Sequence, residues 1–175
     1  MVKNQTNTLK HPDGRTVTFL ETGVDEKGDY LLVEHRIWKQ GAMNGPHWHP
    51  VLTESFTINK GKMKFLVDGK ESIVSKGETI SIHPQEIHQF WNISENGLVA
   101  IHEIRPPGQH RKMFELIHKL ESEGKLNKKG IPSNPFWLGM VWASMDGYIK
   151  GPPKFVQVVL FGGLASLGKW FGLRV

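Results

Sequence analysis

Four residues of this sequence have the type and spacing needed to hold a metal ion. His47 and His49 stand two apart, so in an extended segment both imidazoles leave the same face. Glu54 lies an odd number of positions beyond His49 and joins that face only if the chain bends, which Pro50 allows. Two imidazole nitrogens and a carboxylate oxygen suit a borderline divalent ion: Fe, Mn, Ni, Co or Zn. His88 would complete a set of three histidines and one glutamate. The 15 residues at 62–76 accommodate one hairpin, which would return His88 beside the first three.

Such groups need a rigid frame, and from Thr16 to Arg105 the chain reads as short strands. Residues 30–38 place Leu31, Val33, His35 and Ile37 on one face and Glu34 and Arg36 on the other, the period of a half-buried strand. Similar runs occur at 51–58, 63–67, 71–75, 79–83, 88–93 and 98–105. Asp68-Gly69 is a hairpin turn, because both residues tolerate positive φ. Strands this short and this regularly spaced imply a sandwich or barrel rather than a parallel sheet with crossover helices.

After Arg105-Pro106-Pro107-Gly108 the periodicity changes. Met113, Phe114, Ile117 and Leu120 recur at helical spacing within 110–123. Asn134-Pro135 starts a second expected helix, over 135–149, and a third apolar segment begins at Phe155 after Gly151-Pro152-Pro153. The uncharged stretch from Phe155 to Gly168 is 14 residues, shorter than the roughly 20 a transmembrane helix needs. It is expected to pack on the barrel or against a second subunit. The alternative is a helix lying on a membrane surface, with Trp170 and Phe171 beside Lys169 and Arg174.

The intervals around the histidines follow a known pattern. Gly41, His47, His49, Glu54 and Gly61 match glycine, five residues, His-x-His, three or four residues, Glu, six residues, glycine. Gly77, His88 and Asn92 match the second half: glycine, five residues, Pro-x-Gly, two residues, His, three residues, Asn. In these motifs the chain resembles the cupin superfamily. It departs from the pattern at the Pro-x-Gly, where it has His83 and Gln85 with Pro84 displaced by one. That departure touches the turn before the last ligand and not the ligand itself.

The resemblance implies a mainly β fold, a jelly-roll β-barrel over residues 1–105, with residues 106–175 as a helical extension packing on the barrel or a dimer partner. It implies that His47, His49, Glu54 and His88 bind one divalent transition metal per chain and that the protein is a homodimer. Three neutral imidazoles and one carboxylate leave a divalent ion with net charge near +1 and about two open positions in an octahedron. A bidentate oxygen ligand fits there, such as a catechol-like or keto/hydroxy-acid substrate. The expected function is therefore a small metalloenzyme, with dioxygenase-like or other oxidoreductase chemistry favoured. A non-catalytic small-molecule binding or sensing module is the alternative.

Further candidates share faces with these ligands. His35 is a candidate acid–base group or a support behind the metal ligands, and Glu54 a candidate for proton transfer as well as ligation. Phe56, Phe90, Asn92 and His102 are candidates for lining a substrate pocket. Each also has a plain reading as core packing.

Composition narrows the field. No cysteine is present, which excludes disulfide scaffolds, thiolate metal sites and cysteine nucleophiles. No phosphate-cradling, dinucleotide-binding or serine-hydrolase motif occurs. Residues 1–104 hold 11 basic and 13 acidic residues, net −2, whereas residues 105–175 hold 11 and 4, net +7. A lysine-rich solvated helical surface is the simpler reading of that asymmetry, and an anionic partner the other. Without a base-reading motif, no nucleic-acid partner is expected. The N-terminal stretch lacks an apolar run, so a cytoplasmic location is expected.

Overall fold

A computed structural model describes residues 7–174. They fall into two compact units, the first ending at Pro107 and the second beginning at Gly108.

In the first unit the strands are β1 (Asn7–Lys10), β2 (Thr16–Asp25), β3 (Gly28–Ile37), β4 (Gly41–Ala42), β5 (His47–Trp48) and β6 (Thr53–Lys60). They continue as β7 (Lys62–Val67), β8 (Lys70–Ser75), β9 (Thr79–Ile82), β10 (His88–Asn92) and β11 (Leu98–Arg105). One antiparallel sheet has the order β1-β2-β3-β11-β6-β9. The other has the order β5-β10-β7-β8 in this unit, with β4 also paired to β10.

Alternation decides what faces inward. Along β11, Leu98, Ala100, His102 and Ile104 are buried and their neighbours are not. Along β6 the buried set is Glu54, Phe56 and Ile58. The core lies between the sheets: Phe56, Ile58, Ile82, Leu98 and Ala100 of the first pack with Met63, Phe65, Val74 and Phe90 of the second. The hairpin between β7 and β8 turns at Asp68 (φ 45°) and Gly69 (φ 83°), both left-handed as a two-residue type I′ turn requires.

The mainly β fold expected for this part of the chain is present as two antiparallel sheets packed on one core. Among the described residues their ladders do not join into a closed ring of strands. Between β3 and β6 the chain forms only fragments: β4 and β5 are two residues each, separated by Met43, Asn44, Gly45 and Pro46, with Pro50 two residues after β5. Proline has no N–H to donate to a ladder, which keeps both pieces short.

The second unit holds α1 (His110–Ser122), α2 (Pro135–Ser144), the short extended β12 (Tyr148–Ile149) and α3 (Lys154–Trp170). Asn134 caps α2 by accepting from Phe136 N (2.8 Å) and Trp137 N (3.4 Å). The expected end of α2 at 149 is corrected to Ser144: Asp146 takes a left-handed φ of 50°, and Tyr148 and Ile149 run extended. Leu116, Leu120, Trp137, Met140 and Ala165 form this unit's core. The α2–α3 approach is so close that a Cβ at Gly139 would lie 2.7 Å from Phe161 O and Ala165 N. Gln157 is buried but fully engaged, donating to Ile149 O and Pro152 O and accepting from Ile149 N and Trp142 Nε1. No helix among the described residues is long and apolar enough to cross a membrane.

Candidate metal centre

The four candidate ligands come from three strands and one loop. His47 on β5 pairs directly with His88 on β10, so both project from the second sheet. Glu54 projects from β6 in the first sheet, opposite Ile104 and Ile82. His49 sits between, where the chain leaves β5 for β6. One ligand atom from each of these four residues lies within 4.8 Å of the others, a group able to hold a metal ion. His49, Glu54 and His88 are buried, and His47 is half-buried.

Two of the imidazoles are oriented by backbone. His47 Nδ1 lies 2.9 Å from Gly45 O, and His88 Nδ1 lies 2.9 Å from Glu86 O. A carbonyl only accepts, so each Nδ1 carries the proton and each Nε2 is left with its lone pair for a ligand. Gly45 O is presented by the tight segment between β4 and β5. In the same segment, Asn44 Oδ1 accepts from Phe90 N at 3.0 Å and ties it to β10.

The donor chemistry fits a cation. His88 Nε2 is 2.8 Å from Glu54 Oε2, yet both atoms are buried without a hydrogen bond of acceptable geometry. Buried polar atoms left in that condition are costly, and two aimed toward one point are what a shared ion would satisfy. His49 Nε2 lies 3.4 Å from the same Oε2.

Behind the carboxylate the structure adds a feature that motif spacing does not contain. His102 Nε2, from β11, stands 3.0 Å from Glu54 Oε1. His102 Nδ1 is in turn 3.3 Å from His35 Nε2 on β3. A buried line, Glu54–His102–His35, thus crosses three neighbouring strands of the first sheet. Phe56 stacks on the His102 ring at 4.1 Å between centroids and 19° between planes, which holds that ring in place.

Electrostatics follow from this geometry. Burial pushes the Glu54 carboxyl up, but the imidazoles of His102, His49 and His88 outweigh it and hold the group well below the usual carboxylate range. Burial pushes His35 down from 6.5 to about 3, and His102 adds to the effect. Burial and the His88 charge push His47 down to about 4. His88 goes the other way: burial lowers it, but the Glu54 carboxylate dominates and raises it. The site therefore balances one anion against several imidazoles in a largely buried region.

The expected pocket residues separate by role. His35 and His102 stand next to the centre through Glu54. Phe56 and Phe90 are buried in the core, 4.8 Å apart between ring centroids, and form the apolar floor beneath the histidines. Asn92 shares the buried face of β10 with His88 and Phe90. Its Nδ2 donates to Ile37 O (3.2 Å) and Lys39 O (3.0 Å), and its Oδ1 accepts from Ser94 N (2.9 Å). With both N–H groups and its oxygen bonded to backbone, Asn92 braces the loop after β3 and the end of β10.

The altered turn before His88 is held by residues outside the family pattern. Gln85, standing where the resemblance expects glycine, adopts φ 72°. Its N–H donates to His49 O at 2.7 Å, so the second motif's turn is bonded to a ligand of the first. Glu86 Oε2 accepts from His83 N at 2.6 Å and closes the turn where proline is displaced.

A family model described as "Cupin domain" matches residues 26–104. No curated protein sequence matches the chain. Among solved structures, KdgF from Halomonas sp. is 13% identical with a TM-score of 0.46, covering 56% of this chain and 84% of that one. An RmlC-like cupin from Shewanella frigidimarina is 16% identical at 0.46, covering 57% and 83%. A cupin-superfamily sugar phosphate isomerase from Silicibacter pomeroyi is 16% identical at 0.43, covering 53% and 59%. Likenesses this distant carry no argument about chemistry. The family match, however, spans every strand and loop that carries a candidate ligand, and residues 26–104 of the chain match the cupin domain.

Proposed function

We propose that this chain is a metal-dependent cupin enzyme in which His47, His49, Glu54 and His88 hold one divalent first-row ion and the substrate is a small oxygen-chelating molecule. The observation that carries this reading is the convergence of the four ligand atoms within 4.8 Å, three of the four residues being buried. Bound there, the ion would supply Lewis-acid polarisation of a substrate oxygen and, if iron or manganese, redox capacity.

The rest is the work of the chain. Gly45 O and Glu86 O fix the tautomers of His47 and His88, so both Nε2 atoms face inward with no rearrangement. His102, backed by His35, supports the Glu54 carboxylate from behind and, with His49 and His88, keeps it anionic. Phe56 and Phe90 close the floor to water, which strengthens every charge interaction above them. The half-buried His47 marks the side from which a ligand reaches the ion.

The test is elemental analysis of protein purified without a chelating column, beside His49→Ala, followed by oxygen-uptake screens with catechol-like and keto/hydroxy acids. Metal near one per chain, lost in the variant, together with turnover of such a substrate, is the expected result. Stoichiometric metal without turnover would leave a ligand-binding module. No metal after reconstitution would overturn the site itself.

A further inference from the structure

We infer that the outward face of α3 docks on an anionic lipid surface, lying in the plane of the interface. The helix is apolar on two sides. Gln157, Ala165 and Gly168 are buried along one side, where α3 packs on α2. The opposite side carries Phe155, Val159 and Trp170, spaced i, i+4 and i+15, at 71%, 74% and 76% exposure. Val156, Leu160 and Leu167, spaced i, i+4 and i+11, form a second exposed row beside it. At 3.6 residues per turn these rows are adjacent, so the exposed side chains make one apolar stripe, interrupted at mid-helix by Gly162, Gly163 and Ser166. A monomer in water does not leave such a stripe uncovered without a use for it.

Charge selects the occupant. Residues 108–175 hold ten Lys and Arg against four Asp and Glu, net +6. Beyond Asp146 there is no acidic residue, while Lys150, Lys154, Lys169 and Arg174 flank the two ends of α3. Two copies of this unit meeting face to face would each bring that positive charge to the contact and repel. An anionic bilayer surface neutralises it, at about 1 kcal/mol for each basic side chain near the surface. Trp170 and Phe171 at one end and Phe155 at the other suit the boundary between headgroups and acyl chains. At 17 residues the helix is about 26 Å long, short of the roughly 30 Å hydrocarbon core, so it lies along the surface and does not cross it.

Sedimentation of the full chain with vesicles tests this inference, which stands independently of the metal centre. The protein is expected to pellet with phosphatidylcholine/phosphatidylserine vesicles, to stay in the supernatant with phosphatidylcholine alone, and to be released as salt is raised. Val159→Glu and Trp170→Glu should each abolish pelleting with an unchanged melting temperature, since neither side chain is in a core. Val24→Glu, at an exposed apolar position of the first unit, should have no effect. Failure to pellet with either vesicle overturns the inference. So does a dimer in solution that Val159→Glu converts to monomer, because that assigns the stripe to a second copy.

Discussion

His102 Nε2 stands 3.0 Å from Glu54 Oε1 while His88 Nε2 stands 2.8 Å from Glu54 Oε2, so the buried carboxylate is held on both oxygens by imidazoles from different sheets. The two contacts differ in kind. His88 brings a nitrogen whose other ring position is committed to Glu86 O, the arrangement of a ligand. His102 reaches the carboxylate from behind, between Phe56 and His35, the arrangement of a support.

Replacing the support should therefore weaken the metal without removing it. Loss of an outer partner of a metal ligand typically costs about 10- to 100-fold in metal affinity. His102→Ala is expected in that range, and His102→Gln, which keeps a donor, nearer the wild type. Competition against a chelating dye measures it. Circular dichroism melting must accompany the assay, since the Ala change also opens space against Phe56. Unchanged affinity in a folded His102→Ala protein would show that Glu54 needs no brace.

The ligands themselves were legible because their intervals are local. His47 and His49 are two apart and share a face, and Glu54 follows one bend later. His102 was legible only as an inward-facing residue of a strand. That it would meet Glu54 depends on β11 lying between β3 and β6, with His102 opposite Val33 and Phe56, and pairings that remote in sequence leave no local trace. Period-2 patterning likewise says which side chains point in, not whether sheet edges meet, so the strand pattern left sandwich and barrel both open. The end of α2 was set too late for a similar reason. Apolar residues continue to Ile149, whereas the backbone turns at Asp146, a residue type that tolerates positive φ.

Metal should stabilise the first unit. An ion at about 100 times its dissociation constant adds about 2.7 kcal/mol to the folded state. For a unit of about 100 residues each kcal/mol raises the melting temperature by roughly 4–8 °C. Chelator treatment of the wild type is expected to reverse that gain. Glu54→Gln keeps the side-chain shape but removes the anion that balances the imidazoles, so its melting temperature should be the same with and without metal. A metal-dependent rise in Glu54→Gln would show that the three histidines suffice.

Acid should destabilise the metal-free protein in a defined window. His35 and His47 stay neutral in the folded state down to about 3 and about 4, against an ordinary value of 6.5. The unfolded chain takes up those protons first, so stability is full above 6.5 and falls as the pH drops toward 4. Glu54 is held below its ordinary 4.5, so its contribution is present above that value and is lost as pH falls through the folded one. His88 is raised and works in the opposite sense, contributing below 6.5 and fading as pH rises through its folded value. Two lowered imidazoles against one raised leave a net loss toward acid. Melting temperature against pH should show it, and His35→Gln should flatten the slope. An equal slope in that variant would mean His35 is not kept neutral by burial.

The altered turn before His88 offers a test of how closely the chain keeps family geometry. Gln85 is exposed and sits at φ 72°, where a side chain with a Cβ is disfavoured by roughly 1–2 kcal/mol. Glycine would remove that strain and cost about 0.5–1 kcal/mol in unfolded-chain entropy. Only the backbone N–H of Gln85 makes the bond to His49 O, so the substitution leaves it intact. Gln85→Gly is therefore expected to be neutral or to stabilise by up to about 1 kcal/mol with metal content unchanged, as read from melting curves and elemental analysis. Clear destabilisation would show that the Gln85 side chain holds the turn. Metal loss at unchanged stability would show that the strain itself sets the position of His88.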